Sequence, residues 1–282
     1  MPDETSPQIE KFVEQLQSSS ALTFARSLFH AAEGKELFDQ AVVFASAVST
    51  YYSLFHLGGA LMLAYCSGPV PPDDPHASAR TRLEKQWRTL QPRTLSNGVR
   101  YLPDPGERIP HKYVPPFLQR EVPEIFQSLG QRDKRGTLWD MREFVSYAPR
   151  MVSNGHINVR YSGCQYEPQD FKSHLSQHLS RIDQSFCSAA GWLKQHHNEV
   201  YLSIVSGDFI LFEFAELRSY HPPSVVKRAW ALYRAVCEYE DMDWRIYRSR
   251  PGTWHTDEQA QCKRYEQVVR SFTSDSPRHP EA

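Results

Sequence analysis

Through most of the chain apolar residues return every three or four positions, the period of a helix packed on one side. In 20–33, "SALTFARSLFHAAE", the positions are Leu22, Ala25, Leu28, Phe29 and Ala32, with Gly34 as a stop. Residues 1–19 read as a loose arm or a marginal first helix. A second helix covers 36–66 and is ended by Gly68 and the prolines at 69, 71, 72 and 75. A third covers 137–150, with Thr137 as N-cap and Pro149 near its end. The period returns over 167–197, through Phe171, Leu175, Leu179, Ile182 and Phe186. "PPSVVKRAWALYRAVCEY" makes a further helix that starts on proline. Thr256 with Gln259 forms a capping box for a last one reaching about Phe272. Between these lie an irregular, proline-rich stretch, 67–136, with short helices near 79–90 and 115–130. A possible hairpin at 151–166 carries turn signals at Asn154-Gly155 and Ser162-Gly163. Residues 208–220 fit strand or helix equally. The expected architecture is all-α: an arm (1–19), a bundle (20–200, with its insert at 67–136) and a small C-terminal helical extension (201–282).

The second helix is unusual in its polarity. Residues 41–66 contain no Asp, Glu, Lys or Arg, yet carry Ser46, Ser49, Thr50, Tyr51, Tyr52, Ser53 and His56. About 20 apolar residues span a bilayer, so length permits a membrane helix. Central hydroxyls and an imidazole argue against one, because lipid leaves such groups unsatisfied. Asp39 before the segment and "PVPPDDP" after it supply no basic flank. The expectation is a helix buried on nearly all sides, covered in part by a second subunit, its tyrosines and His56 being satisfied core residues.

Charge adds a local feature. The 282 residues carry a net charge of −1, so no global field draws nucleic acid or membrane. Between 80 and 120, nine basic residues face three acidic ones. Trp87, Tyr101, Tyr113 and Phe117 are interleaved, as on surfaces that hold single-stranded nucleic acid. A solvated face paired with acidic surface elsewhere produces the same pattern. Five scattered Cys without a CxxC pair indicate neither a disulfide framework nor a zinc ribbon. With an acidic, polar start, "MPDETSPQIEKF", the expectation is a reducing, cytoplasmic setting. His174 and His178 have metal-capable spacing without a neighbouring carboxylate, and read better as a solvated helix face. Asp241 and Asp243 lack the Gly-Ser context of a nucleotidyltransferase site. Phosphate-cradling and nucleophile-elbow motifs are missing.

Two stretches resemble the HEPN domain family. In "AVSTYYSLFHLGGAL" the matching residues are Ser49, Tyr51, Tyr52, Phe55, His56, Ala60 and Leu61, with Ser49 one residue closer to the first tyrosine than the family pattern has it. "LWDMREFVSYAPR" is similar to the family's Leu-x-x-Leu-Arg-x-x-x-Asp-Tyr-Gly-Pro element. Arg142, Tyr147 and Pro149 match, while Met141, Ser146 and Ala148 replace Leu, Asp and Gly. The helix at 167–197 sits where the family places its closing helix.

The resemblance implies a HEPN-like bundle of four or five helices that dimerises through its second helix. It also implies a metal-independent, cofactor-free endoribonuclease of toxin or antiviral-defence type. The family's active form uses Arg followed four to six residues later by His. Arg142 takes the arginine position, but the residue five along is Tyr147. Arg150 with His156 has a suitable spacing in a turn. The implied catalytic set is therefore Arg142, with Tyr147 or His156 moving or donating a proton. Arg150 and the insert's Arg88, Arg93, Arg100 and Lys112 would hold RNA. The other implied role is a non-catalytic module that pairs with a nucleotidyltransferase-like or other protein partner. The missing Asp at 146 and His at 147 point toward it.

Overall fold

The computed structural model describes residues 6–89, 93–94, 100–101, 112–130, 134–153, 167–205 and 220–237. Helix α1 (Ser6–Asp39) is one continuous rod. The arm expected at 1–19 is therefore helical from Ser6, and its Phe12 and Leu16 are core residues. Gly34 does not stop the helix. It is where α1 and α2 (Val43–Ser67) approach most closely: a Cβ there would lie 2.6 Å from Thr50 Oγ1 and 3.2 Å from the Thr50 nitrogen. The stop comes at Ala41, whose φ of 61° is left-handed. Val42 N–H bonds the Leu37 carbonyl and Ala41 N–H the Phe38 carbonyl, the double bond that ends a helix with a left-handed residue.

Hydroxyls sew α1 to α2. Ser46 Oγ donates to the Gly34 carbonyl at 2.6 Å, and Ser20 Oγ to that of Ala60 at 2.8 Å. Thr50 Oγ1 donates within α2 to Ser46, at 2.7 Å. Small residues let the rods close up, and these three hydroxyls bond a nearby backbone carbonyl instead of water, whereas those of Ser19, Thr23 and Ser53 are buried without a hydrogen-bond partner among the described residues. Of the 25 residues in α2, 18 are buried, by α1, α4, α5, α6 and α7 of the same chain. Its burial thus needs no second subunit. No helix among the described residues is long and apolar enough to cross a membrane.

The insert contributes α3 (Ala77–Arg88), α4 (Val114–Glu121) and α5 (Pro123–Leu129). A two-residue antiparallel pair sets β1 (Arg93–Thr94) against β2 (Arg100–Tyr101). Arg80 of α3 turns back to donate to the Cys66 and Gly68 carbonyls, capping the C-terminus of α2. Helix α6 (Leu138–Ser153) begins where Thr137 Oγ1 accepts the Asp140 N–H at 3.3 Å. It continues past Pro149 to Ser153, beyond the end expected from the sequence. The long α7 (Pro168–His196) and short α8 (Asn198–Val205) follow. The hairpin expected at 151–166 lies outside the described residues, apart from 151–153, which are helical. Residues 208–219 and the helix expected at 256–272 also lie outside them.

Helix α9 (Pro223–Val236) returns to pack on α1 and α7. Its Val226, Ala229, Trp230 and Tyr233 join the same apolar core as Phe24 and Phe186. Arg228 pairs with Glu36 at 3.0 Å and Asp39 at 2.8 Å, and Tyr233 Oη donates to the Ile204 carbonyl at 2.8 Å. The described architecture is a helical bundle whose one strand pair is the two-residue ladder of the insert.

Candidate functional site

Helix α2 presents a narrow, half-exposed stripe at four-residue steps, Val48, Tyr52 and His56. Between the buried flanks of that stripe, α1 brings His30 and Glu33, and α6 brings Arg142 and Glu143. The His30 and His56 imidazoles stack with centroids 5.3 Å apart and planes at 11°. The Tyr52 ring lies 6.0 Å from each of them. Tyr52 Oη accepts from Arg142 Nη2 at 3.5 Å, a long hydrogen bond. The same guanidinium sits 5.6 Å over the Tyr51 ring and pairs with Glu143. Its side chain keeps 20% of its surface, so it is recessed but reachable. Tyr51 is a core residue beneath the arginine, and burial pushes its phenol well above the usual tyrosine range.

Glu33 anchors the other end. Its Oε2 accepts Ser49 Oγ at 2.8 Å and lies 3.6 Å from His30 Nδ1. His30, then the Ser49 hydroxyl and the His221 charge, hold this carboxyl below the usual range, against the opposing effect of burial. His221, in the turn before α9, packs 5.1 Å from the Phe29 ring, and burial holds its imidazole below the usual histidine range. One guanidinium, three imidazoles and two carboxylates thus gather from α1, α2, α6 and the approach to α9. Such a group can hold one anion and pass protons.

Of the site residues expected from the sequence, Arg142 belongs to this cluster. Tyr147 and Arg150 follow it on α6, with side chains outside the described set, and His156 lies outside the described residues. Arg88 is exposed, pairs with Glu84, and borders a small cleft formed with Ile9, Phe12 and Trp87. Ile9 and His30 are 21 residues apart on α1, about 30 Å at 1.5 Å per residue, so Arg88 and Arg142 do not share a groove. Arg93 stands opposite Tyr101 and Arg100 opposite Thr94 in the short ladder. Lys112 lies 5.0 Å over the Tyr113 ring.

His56, expected from the sequence to be a core residue, is only partly buried and belongs to the cluster. His30, Glu33 and His221 carried no motif, because they reach the site only through packing of α1 against α2 and of α9 against α1. The histidine pair on α7 is not a solvated face: His178 is largely buried, with Nε2 2.7 Å from the Gly136 carbonyl. No group of three His, Cys, Asp or Glu suited to a metal ion occurs among the described residues. No family model matches the chain, and no curated protein or solved structure does so.

Proposed function

We propose that the Arg142–Tyr52–His56–His30 cluster is a metal-independent ribonuclease site on a HEPN-like bundle. The observation that supports it is the recessed guanidinium sharing Tyr52 with two stacked, half-exposed imidazoles. The chemistry is internal transfer at phosphorus. The ribose 2′-oxygen bonds to phosphorus as the P–O5′ bond breaks. One imidazole takes the 2′-hydroxyl proton, and an imidazolium gives a proton to the departing O5′. Arg142 sits against the non-bridging oxygens, where negative charge accumulates. With neutral imidazoles the cluster holds one cation against two carboxylates, so phosphate is favoured once the histidines take up protons.

A second reading has its own support. Glu143 already occupies the Arg142 guanidinium, and Val42 and Phe44 leave apolar surface exposed at the α1–α2 turn. These suit a non-catalytic module, paired with another copy or with a nucleotidyltransferase-like protein. Single-stranded RNA labelled at one end, incubated in EDTA with the purified chain, separates the two. Cleavage leaving 2′,3′-cyclic phosphate ends, reduced about 100-fold or more in Arg142→Ala and His56→Ala, is the expected result. Cleavage equally fast in both variants removes this site. A pure wild-type chain that leaves RNA intact favours the module.

A further inference from the structure

We infer that Glu33 is the positioning residue of this site: through its contacts with His30 and Ser49 it fixes the face that His30 turns to His56. The inference rests on the ribonuclease reading for its catalytic consequence, although the geometry behind it is independent. Glu33 is a three-way junction. From its own helix it faces His30 Nδ1 at 3.6 Å, an ion-pair distance longer than a hydrogen bond; from α2 it receives the Ser49 hydroxyl at 2.8 Å; from the turn before α9 it feels the His221 charge. The serine holds one carboxylate oxygen in place, and that oxygen is the one turned to His30. A carboxylate beside Nδ1 favours the tautomer with its proton on Nδ1, which leaves Nε2 with a free lone pair. Stacking at 11° on His56 fixes the plane of the ring. His30 then acts as the proton acceptor. The positive charge it gains on taking the 2′-hydroxyl proton lies next to the Glu33 carboxylate, as in other carboxylate–histidine pairs. Glu33 touches no substrate and acts through His30.

The arrangement also gives the C-terminal segment a part in the site. His221, in the turn before α9, lowers the Glu33 carboxyl pKa through its charge and packs 5.1 Å from the Phe29 ring of α1.

Glu33→Gln keeps the shape and removes the charge, and Glu33→Asp keeps the charge on a shorter arm. With the labelled single-stranded RNA, Glu33→Gln is expected to lower kcat about 10- to 100-fold with KM within about two-fold, and to shift the pH profile. Glu33→Asp should recover part of the loss. An unchanged kcat, or a rise in KM alone, overturns the assignment. Imidazole 15N chemical shifts read the tautomer without any turnover. Wild type should show His30 protonated at Nδ1, and Glu33→Gln a shift toward the Nε2 form. The same tautomer in both proteins overturns the positioning role, whether or not RNA is cut. A tautomer shift in a chain that cuts no RNA keeps the role and removes the ribonuclease reading. Far-UV circular dichroism matching wild type shows that each variant is folded.

Discussion

Gly34 and Thr50 face each other with no room for a methyl group between them: the Cβ of any larger residue at 34 would sit 2.6 Å from Thr50 Oγ1. Alanine would gain up to about 1 kcal/mol of helix propensity. Forcing two tightly packed rods apart costs about 1–3 kcal/mol. Gly34→Ala should therefore lower stability by up to about 2 kcal/mol, read as a lower urea midpoint with an unchanged slope.

The residue that ends α1 predicts the opposite sign. Ala41 holds φ at 61°, a conformation glycine adopts at little cost. Ala41→Gly should raise stability by about 0.5–1 kcal/mol. Urea unfolding of the single variants and the double checks that the two sites report different causes.

Arg80 serves the end of α2. Its guanidinium satisfies two carbonyls that the helix leaves open, and lies 5.6 Å over the Phe12 ring. Arg80→Met keeps the stem and removes the donors. It should cost about 1–3 kcal/mol, because two part-buried carbonyls lose a charged partner. A drop in Tm of several degrees by circular dichroism is the expected outcome.

Acid should loosen the bundle through histidines kept neutral. Burial holds His178 below its usual value, with His174 and Arg181 adding repulsion and the Gly136 carbonyl opposing them. His178 Nδ1 is buried without a hydrogen-bond partner among the described residues, so charging it would add an N–H with nothing to accept it. His197 and His221 are lowered for the same first reason. A depressed folded pKa means that the unfolded chain binds more protons in the window below the ordinary value, about 6.5. Stability is then fully present above that value and falls as pH drops through the folded pKa. Urea midpoints should decline between pH 7 and pH 5, and His178→Asn should flatten that decline.

Thiol reactivity tests the packing independently. Burial pushes the Cys66 and Cys237 thiols up to about 12, whereas Cys187 is exposed on α7. At pH 8 roughly one buried thiol in ten thousand is ionised, and the thiolate is the reactive form. Iodoacetamide followed by peptide mass spectrometry should label Cys187 readily. Cys66 and Cys237 should react only in urea.

Amphipathic period made the later helices legible. Phe171 to Leu193 and Val225 to Val236 each keep one apolar face, and both appear as helices. Gly34 misled because a glycine after a helical run signals either a stop or a close approach, and only the neighbouring rod decides which. Ala41, the true stop, has no signature, since alanine rarely adopts φ above zero. The first turns of α1 bury only Phe12 and Leu16 among polar residues, too thin a stripe to distinguish from an arm. Arg142 was legible through the motif around it. His56 lies in the other matching stretch, whereas His30, Glu33 and His221 carry no motif: they come from two separated stretches, and tertiary packing alone makes them its neighbours.

Because α9 closes against α1, the ribosome makes the two partners at opposite ends of a long wait. Between Asp39 and Pro223 lie 183 residues, on the order of 10–40 s of translation at roughly 5–20 residues per second. During that interval the outer flank of the first rod, with Glu36 and Asp39 lacking their arginine, stays open to water and to chaperones. The nascent protein can complete its interior only when the late helix emerges.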